Sequence, residues 1–323
     1  MLSLKNETYV QAMCDKCKLS VVVLVYNQEK TIAKTLDSIL SQAHEYPYEI
    51  VVGDDVSTDG SRDVLQRYKD SYPDIIQLIY NDKNLGVVGN WVNALRHCHG
   101  EYIMECAPDD WWLPGKIERQ IAFMDVHPEY GMCYGKVKRF SEKRGEFLST
   151  LWGARCESFD DIIKNIAKVP PMSMCFRREL GLKYVDEIHP ERTNWIMEDY
   201  PFYIWLIIYS RIFFDETILG VYRVVENSIS HSKELKKKEK FYGSVIDVKR
   251  FWLKHTEKDY DEKTLEDEYN RYLAYDLLKD NRNVAETYLR RINCPNKKDR
   301  ALILTCKYPF LYFCYLMYLK GRV

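Results

Sequence analysis

Four short apolar runs, each followed by an amphipathic stripe, fill the N-terminal third of the chain and set what it can fold into. Leu19–Tyr26 is an unbroken, largely β-branched run, the pattern of a strand buried on both faces. Asn27-Gln28-Glu29 then opens a stripe through Ile32, Leu36, Ile39 and Leu40, which repeats at helical spacing. Tyr48–Val52 reads as a second strand ending in Gly53-Asp54-Asp55. Ser57-Thr58-Asp59-Gly60-Ser61 supplies turn and cap chemistry ahead of Val64, Leu65 and Tyr68. Ile75–Tyr80 gives a third strand, Asn81–Gly86 a turn, and Trp91, Leu95 and Cys98 the next helix. Glu101–Cys106 is the fourth strand. This alternation predicts an α/β fold with a mostly parallel central sheet flanked by helices and joined by right-handed crossovers.

Open α/β sheets carry their ligands at the C-terminal ends of the strands. That edge collects Tyr26, Asp54 and Asp55, Asn84 and Gly86, and Asp109 and Asp110. The fourth strand runs straight into Asp109-Asp110 and then Trp111-Trp112. Adjacent carboxylates repel one another, and hard divalent ions such as Mg²⁺ and Mn²⁺ take one or two carboxylates together with phosphate oxygens. A solvated loop holding two acids by chance is the plain alternative. Neither GxGxxG after the first strand nor GxxxxGK[ST] occurs, so the pocket is neither a dinucleotide fingerprint nor a P-loop.

Lys and Arg number 47 against 48 Asp and Glu, a net charge of −1, so no global field points to a nucleic-acid partner. Ten cysteines without regular spacing, and no signal-peptide pattern at the start, point to a reduced, cytoplasmic setting. Cys14 and Cys17 form a CxxC without a second pair at zinc spacing, and Met1–Cys17 reads as an N-terminal arm.

The second half is less regular. Residues 114–127 read as a helix, 131–150 as strands around a charged turn at 141–146, and 158–167 as a short helix. Glu198 and Asp199 open the apolar stretch Phe202–Tyr209, where acids also complement a helix dipole. Residues 218–232 read as a last strand and polar loop ending near His231, and Lys233–Lys240 as a solvated helix face. Helices follow at 240–254, 262–279 and 282–291. Residues 301–319 hold a single charge, Lys307, and many tyrosines between basic flanks. That composition suits a membrane-interface segment, a helix packed on the protein itself, or a homo-oligomer face.

Taken in order, these segments resemble the family 2 glycosyltransferases of the GT-A fold, the bacterial type that builds capsule, O-antigen of lipopolysaccharide and other exopolysaccharides. The resemblance rests on Val21–Asn27 with Leu36–Gln42, Glu49–Ser61, Asn84–Asn90, Gly100–Trp111 and Met197–Pro201. It implies a Rossmann-like GT-A domain over 18–232, with a nucleotide-binding half at 18–112, an acceptor-binding half at 113–232, and a helical C-terminal region at 233–323. It implies that Tyr26 packs on the nucleotide base, with Asn27 and Glu29 beside it, and that Asp55 accepts from a uracil-type imide N–H. Asp54, Asn84 and Gly86 complete the nucleotide side. Asp109 and Asp110 match the metal motif for Mn²⁺ or Mg²⁺, with Asp109 also facing the ribose. Asp199 aligns with the catalytic base, and Glu198 stands beside it.

Three departures stand out. Leu24-Val25 replaces the usual Pro-Thr, Val56 the usual Gly, and Val225 a His that serves as a metal or phosphate contact in many relatives. Arg223 and His231 are the candidates to fill that last place. The expected activity is inverting, metal-dependent sugar transfer from a nucleotide-sugar, by default a UDP-sugar, to a glycan or lipid-linked acceptor. The expected place is the cytoplasm, at the inner face of the cell membrane. A sugar nucleotidyltransferase would want a Gly-rich first loop with an Arg/Lys pair, which Gln28-Glu29-Lys30 lacks. A non-catalytic scaffold of a glycan-assembly complex is the other alternative, and the intact Asp109, Asp110 and Asp199 argue against it.

Overall fold

The structure, a computed structural model, describes residues 17–225 and 232–320. His231, Cys14 and the opening arm up to residue 16 lie outside the described residues. The chain divides into two compact units, Met1–Val224 and Val225–Val323.

The first unit opens with β1 (Leu19–Val25), α1 (Ile32–Leu40), β2 (Tyr48–Asp54), α2 (Ser61–Ser71), β3 (Ile76–Tyr80), α3 (Gly86–Arg96) and β4 (Tyr102–Glu105). These four strands pair in parallel in the order β3-β2-β1-β4. Then follow β5 (Trp111–Trp112), α4 (Lys116–Val126), β6 (Tyr130–Ser141), β7 (Glu146–Phe147), α5 (Phe159–Lys164), β8 (Cys175–Arg177), α6 (Arg178–Ile188), α7 (Asp199–Tyr209) and β9 (Arg211–Val224). From β4 the sheet continues through β8, β6, β9 and β5, with β7 beside β6. β8 enters antiparallel to both β4 and β6, β9 lies parallel to β6, and β5 runs antiparallel to β9. The half built from the four sequence-predicted strands is therefore parallel, and the rest is mixed.

Each face of the sheet is covered, as continuous apolar strands require. Val21, Val23 and Val25 of β1 share a core with Ile32, Leu36 and Ile39 of α1 and Ile117, Ile121 and Met124 of α4. Aromatics fill the other side: Trp91 of α3 meets Tyr184 of α6 at 6.1 Å and Phe202 of α7 at 5.5 Å between ring centroids. Three elements were not foreseen. β5 is two tryptophans, β8 three residues, and α6 lies in a stretch the periodicity left unassigned.

The second unit is helical: α8 (Leu235–His255), α9 (Glu262–Leu277), α10 (Arg282–Arg290), α11 (Lys297–Lys307) and α12 (Pro309–Lys320). Its core joins Leu273 and Leu277 of α9, Leu289 of α10, and Leu302 and Cys306 of α11. The lysine-rich start of α8 is not wholly a solvated face. Lys238 is buried and donates to Asp276 at 2.6 Å, because a buried ammonium must find a partner.

Candidate active site

The loop after β1 is fastened to the loop after β2. Asn27 adopts a left-handed turn (φ 55°), which sends its backbone N–H to Ser57 Oγ at 2.9 Å and lets its side-chain oxygen accept from Thr58 N at 2.8 Å. Glu29 accepts from Gly60 N at 3.1 Å, while its own N–H donates to Asp59 at 3.1 Å. Asn27 and Glu29, expected on the nucleotide side, thus hold the two loops together. Tyr26, directly after β1, is 51% exposed, an apolar ring at the surface of this strand end.

Asp54 and Asp55 divide their duties. Asp54 is buried and pairs with Arg62 Nε at 2.6 Å, and its second oxygen is buried without a hydrogen-bond partner among the described residues. Asp55 accepts from Asn81 Nδ2 at 2.9 Å, Leu85 N at 2.7 Å and Gly86 N at 2.9 Å. It thereby pins the start of α3, where Gly86 takes a left-handed φ of 70° that favours glycine. An ionised carboxylate accepts at roughly four sites, so Asp55 retains capacity for a ligand donor. Asn84 Nδ2 donates to the Asp55 carbonyl at 3.1 Å. Behind them lies a buried amide relay that sequence reasoning missed. Asn81 donates to Asn90 Oδ1 at 2.9 Å, and Asn90 to the Gly53 carbonyl at 2.8 Å.

The metal-type motif sits just past β4. Because β5 runs antiparallel to β9, with Trp111 opposite Val221, the chain at Arg223 comes alongside Asp109 and Asp110. Arg223 donates its backbone N–H to Asp110 Oδ1 at 2.7 Å and its Nε to the Asp109 carbonyl at 2.7 Å. Thr35 Oγ1 of α1 donates to the Asp110 carbonyl at 2.7 Å. Arg223 and Lys34 also share Trp111, the guanidinium 5.2 Å and the ammonium 3.2 Å from its ring centroid. Asp110 is 2% exposed. Burial first, and then the neighbouring Asp109 charge, push its carboxyl well above the usual range. Asp109 is also raised, mainly by burial. Arg223 offsets part of the negative charge of this pair, and a divalent cation would offset more of it.

The donor set fits that ion. The Arg223 N–H reaches one carboxylate oxygen of Asp110, Oδ1. Among those residues no cluster of three or more His, Cys, Asp or Glu could hold a metal by itself, so the remaining ligands would come from phosphate oxygens and water, as Mg²⁺ and Mn²⁺ prefer. Arg223 is in place beside the motif, whereas His231 lies outside the described residues.

A second acidic focus lies at the start of α7. Asp199 Oδ1 accepts from Tyr200 N at 2.7 Å. Burial, followed by the Asp199 charge, pushes Glu198 up to about 8, and burial raises Asp199 as well. Glu105, at the end of β4, belongs with them and was not foreseen. It is buried and accepts from Trp91 Nε1 at 2.5 Å. Burial drives its carboxyl well above the usual range, with Glu198 and Asp199 adding repulsion. Among the described residues no hydrogen bond or ion pair joins this group to Asp110, yet Glu105 and Asp110 flank one short segment at the end of β4.

Just past the motif, at the start of α4, Lys116 is 0% exposed. It donates to Gln120 at 2.6 Å and the Met174 carbonyl at 3.2 Å, with its ammonium 4.2 Å from the Trp112 ring centroid. Burial lowers it to about 8. Trp112 Nε1 donates to the Met172 carbonyl at 3.1 Å, so the segment before β8 is fastened behind the metal-type motif.

The family model of glycosyl transferase family 2 matches residues 20–180. Two Escherichia coli relatives are both named UDP-Glc:alpha-D-GlcNAc-diphosphoundecaprenol beta-1,3-glucosyltransferase. WfgD is 26% identical over 72% of this chain and 88% of its own, and WfaP is 37% identical over 33% and 41%. An uncharacterized Mycobacterium tuberculosis protein is 35% identical, and the chain spans about 40% of its length. Among solved structures, Staphylococcus aureus TarS in complex with UDP-GlcNAc superposes with a TM-score of 0.59 at 20% identity, over 94% of this chain and 89% of that one. The Pyrobaculum calidifontis mannosyltransferase PcManGT in complex with GDP-Man and Mn²⁺ gives 0.55 at 15% identity, over 94% and 88%. These likenesses agree with the curled α/β sheet, its flanking helices and the acids on its edge: the chain belongs to glycosyl transferase family 2 and has the GT-A fold.

Proposed function

We propose that this chain is an inverting, metal-dependent glycosyltransferase that moves a sugar from a UDP-sugar to a glycan or lipid-linked acceptor in cell-surface polysaccharide synthesis. The observation that carries the reading is the pairing of two acidic groups around the end of β4. One holds Asp109, Asp110 and a latched Arg223; the other holds Glu105, Glu198 and Asp199.

Tyr26 offers a stacking face to the base, and Asp55 keeps an acceptor site for its imide N–H. Asp110, with Asp109, would hold Mn²⁺ or Mg²⁺, which when bound neutralises charge growing on the leaving diphosphate. Arg223, fixed at the same place, adds positive charge toward that group. An acceptor hydroxyl is a weak nucleophile, so a base must take its proton as it attacks. Asp199 fills that role. Burial, with the Asp199 charge, raises Glu198 to about 8, and burial raises Asp199 as well, so both acids hold protons more tightly than free carboxylates do and titrate as a pair. Attack from the face opposite the leaving diphosphate gives a single displacement with inversion.

The two Escherichia coli relatives are named for UDP-Glc and for a diphosphoundecaprenol-linked acceptor. Those names support a UDP donor and a lipid-linked acceptor, and with them a place at the inner face of the membrane. A thermal-shift panel of UDP, GDP, CMP and dTDP with and without Mn²⁺ tests the donor reading, since a ligand of the native state raises the midpoint by mass action. A shift with UDP that requires Mn²⁺ supports it. A shift with another nucleotide moves the donor class, and no shift with any of them favours a non-catalytic scaffold.

A further inference from the structure

Among the described residues, seven of the seventeen exposed large apolar side chains fall between Leu304 and Tyr318. α12 explains the concentration, because it is apolar on every side. Its inner face is fastened to its own unit: Tyr312 OH donates to the Leu278 carbonyl at 2.6 Å, and Tyr315 packs on the helical core. Its outer face presents Phe310 at 74% exposure, Phe313 at 60%, Met317 and Tyr318, spaced along one side of the helix. Tyr308 at the bend and Leu304 at the end of α11 extend the patch. Clustered exposure of this kind marks an interaction surface.

Charge selects the occupant. Lys297, Lys298, Arg300 and Lys307 of α11 are exposed. The acid in this hairpin, Asp299, is fully buried, where it closes the capping box with Asn296 and pairs with Arg271 Nε at 3.0 Å. The exposed charge of residues 297–318 is therefore all positive. Two copies meeting through the same face would bring like charges together, which opposes that association. An aromatic and aliphatic strip edged by cations suits an anionic lipid interface.

The geometry also decides the mode. α11 and α12 meet at 118°, and no single described helix is long and apolar enough to cross a bilayer. α12, with 12 residues, reaches about 18 Å, against roughly 30 Å for the hydrocarbon core. We infer that the outer face of α12, with the basic residues of α11, is a docking surface that lies on an anionic lipid bilayer. This deepens the membrane placement in the proposed function.

The test is co-sedimentation of the full chain with vesicles of phosphatidylcholine alone and of phosphatidylcholine with phosphatidylglycerol. The assay needs no nucleotide, so its failure is separate from a failure of the donor reading. Binding is expected to the anionic vesicles and to weaken with salt. Phe310→Ser with Phe313→Ser is expected to lower it by roughly tenfold or more, with an unchanged circular-dichroism melt as the folding control. Lys297→Glu with Lys307→Glu, at exposed positions that cannot disturb the core, is expected to weaken binding to anionic vesicles alone. Absence of binding to either vesicle overturns the inference, as does equal binding to both. So does a dimer in solution that the Phe310/Phe313 variant turns into a monomer, because a second copy then covers this face.

Discussion

Arg223 reaches Asp110 across 113 residues of chain, giving its backbone N–H to the carboxylate at 2.7 Å while its Nε donates to the Asp109 carbonyl at 2.7 Å. In Arg223→Ala the backbone donor stays, but the tie to Asp109 and the positive charge go. Hydrogen bonds involving charged groups contribute about 1.5–3 kcal/mol. A roughly tenfold weaker Mn²⁺-dependent affinity for UDP is therefore expected by calorimetric titration. Arg223→Lys should recover part of it by restoring charge without the guanidinium fork. Equal affinity in all three proteins would show that the latch is dispensable for donor binding.

Asp199→Asn should separate binding from chemistry. The amide keeps the size of the side chain and removes its basicity, so turnover should fall by roughly 10²–10⁴-fold while UDP affinity holds. Steady-state rates alongside a UDP titration make the comparison. Turnover at the parent level would transfer the role of base elsewhere, with Glu198 and Glu105 next in line.

Stability should carry the signature of Glu198. Its carboxyl is raised from 4.5 to about 8 in the folded chain, so between those values the native state holds a proton that the unfolded chain has lost. Stability then falls as pH rises from 4.5 toward 8. Glu198→Gln cannot ionise, and its melting midpoint should gain on the parent protein steadily across that window. Parallel melting curves at every pH would mean that the Glu198 proton is not bound in the native state.

Val56 occupies a left-handed backbone conformation, φ 65°, at the place where the resemblance to this family implies a glycine. A β-branched residue there is strained by about 1–3 kcal/mol. Val56→Gly relieves that strain, offset in part by greater freedom of the unfolded chain. A net gain on the order of 1 kcal/mol, a rise of a few degrees in midpoint, is expected by calorimetry. A lower midpoint would mean that the half-buried valine side chain contributes more than its backbone costs.

The parallel half of the sheet was legible in sequence because its evidence is local. Val21–Val25 and Ile50–Val52 are apolar on consecutive positions, and each is followed by its own amphipathic helix. β8 and β5 were not legible. Cys175–Arg177 becomes a strand by lying between β4 and β6, and Trp111-Trp112 by pairing with β9. Partners that distant leave no mark on local periodicity.

The site divides in the same way. Asp109-Asp110 and Glu198-Asp199 announce themselves as adjacent acids, whereas Glu105 sits inside an apolar run that reads only as strand. Its burial becomes evident through Trp91, which hydrogen-bonds it from a different helix. Asn27 and Glu29 look like ligand contacts from their place after β1, and folding shows them holding Thr58 and Gly60. A polar residue at a strand end can serve the loop as readily as the ligand, and sequence spacing does not separate the two.

The insertion of β8 between β4 and β6, with β9 beyond, sets the order in which the chain can complete itself. As synthesis proceeds, β1 to β4 emerge with their crossover helices and can pair in parallel at once. Asp110 must then wait until Arg223 has emerged. A ribosome-bound chain ending before Val221 would already contain Asp54 and Asp55, but it would lack the end of the strand that closes on Asp109 and Asp110. The linked loops after β1 and β2 can thus assemble early, while the clasp of Arg223 on Asp109 and Asp110 is among the last long-range contacts to form in this unit.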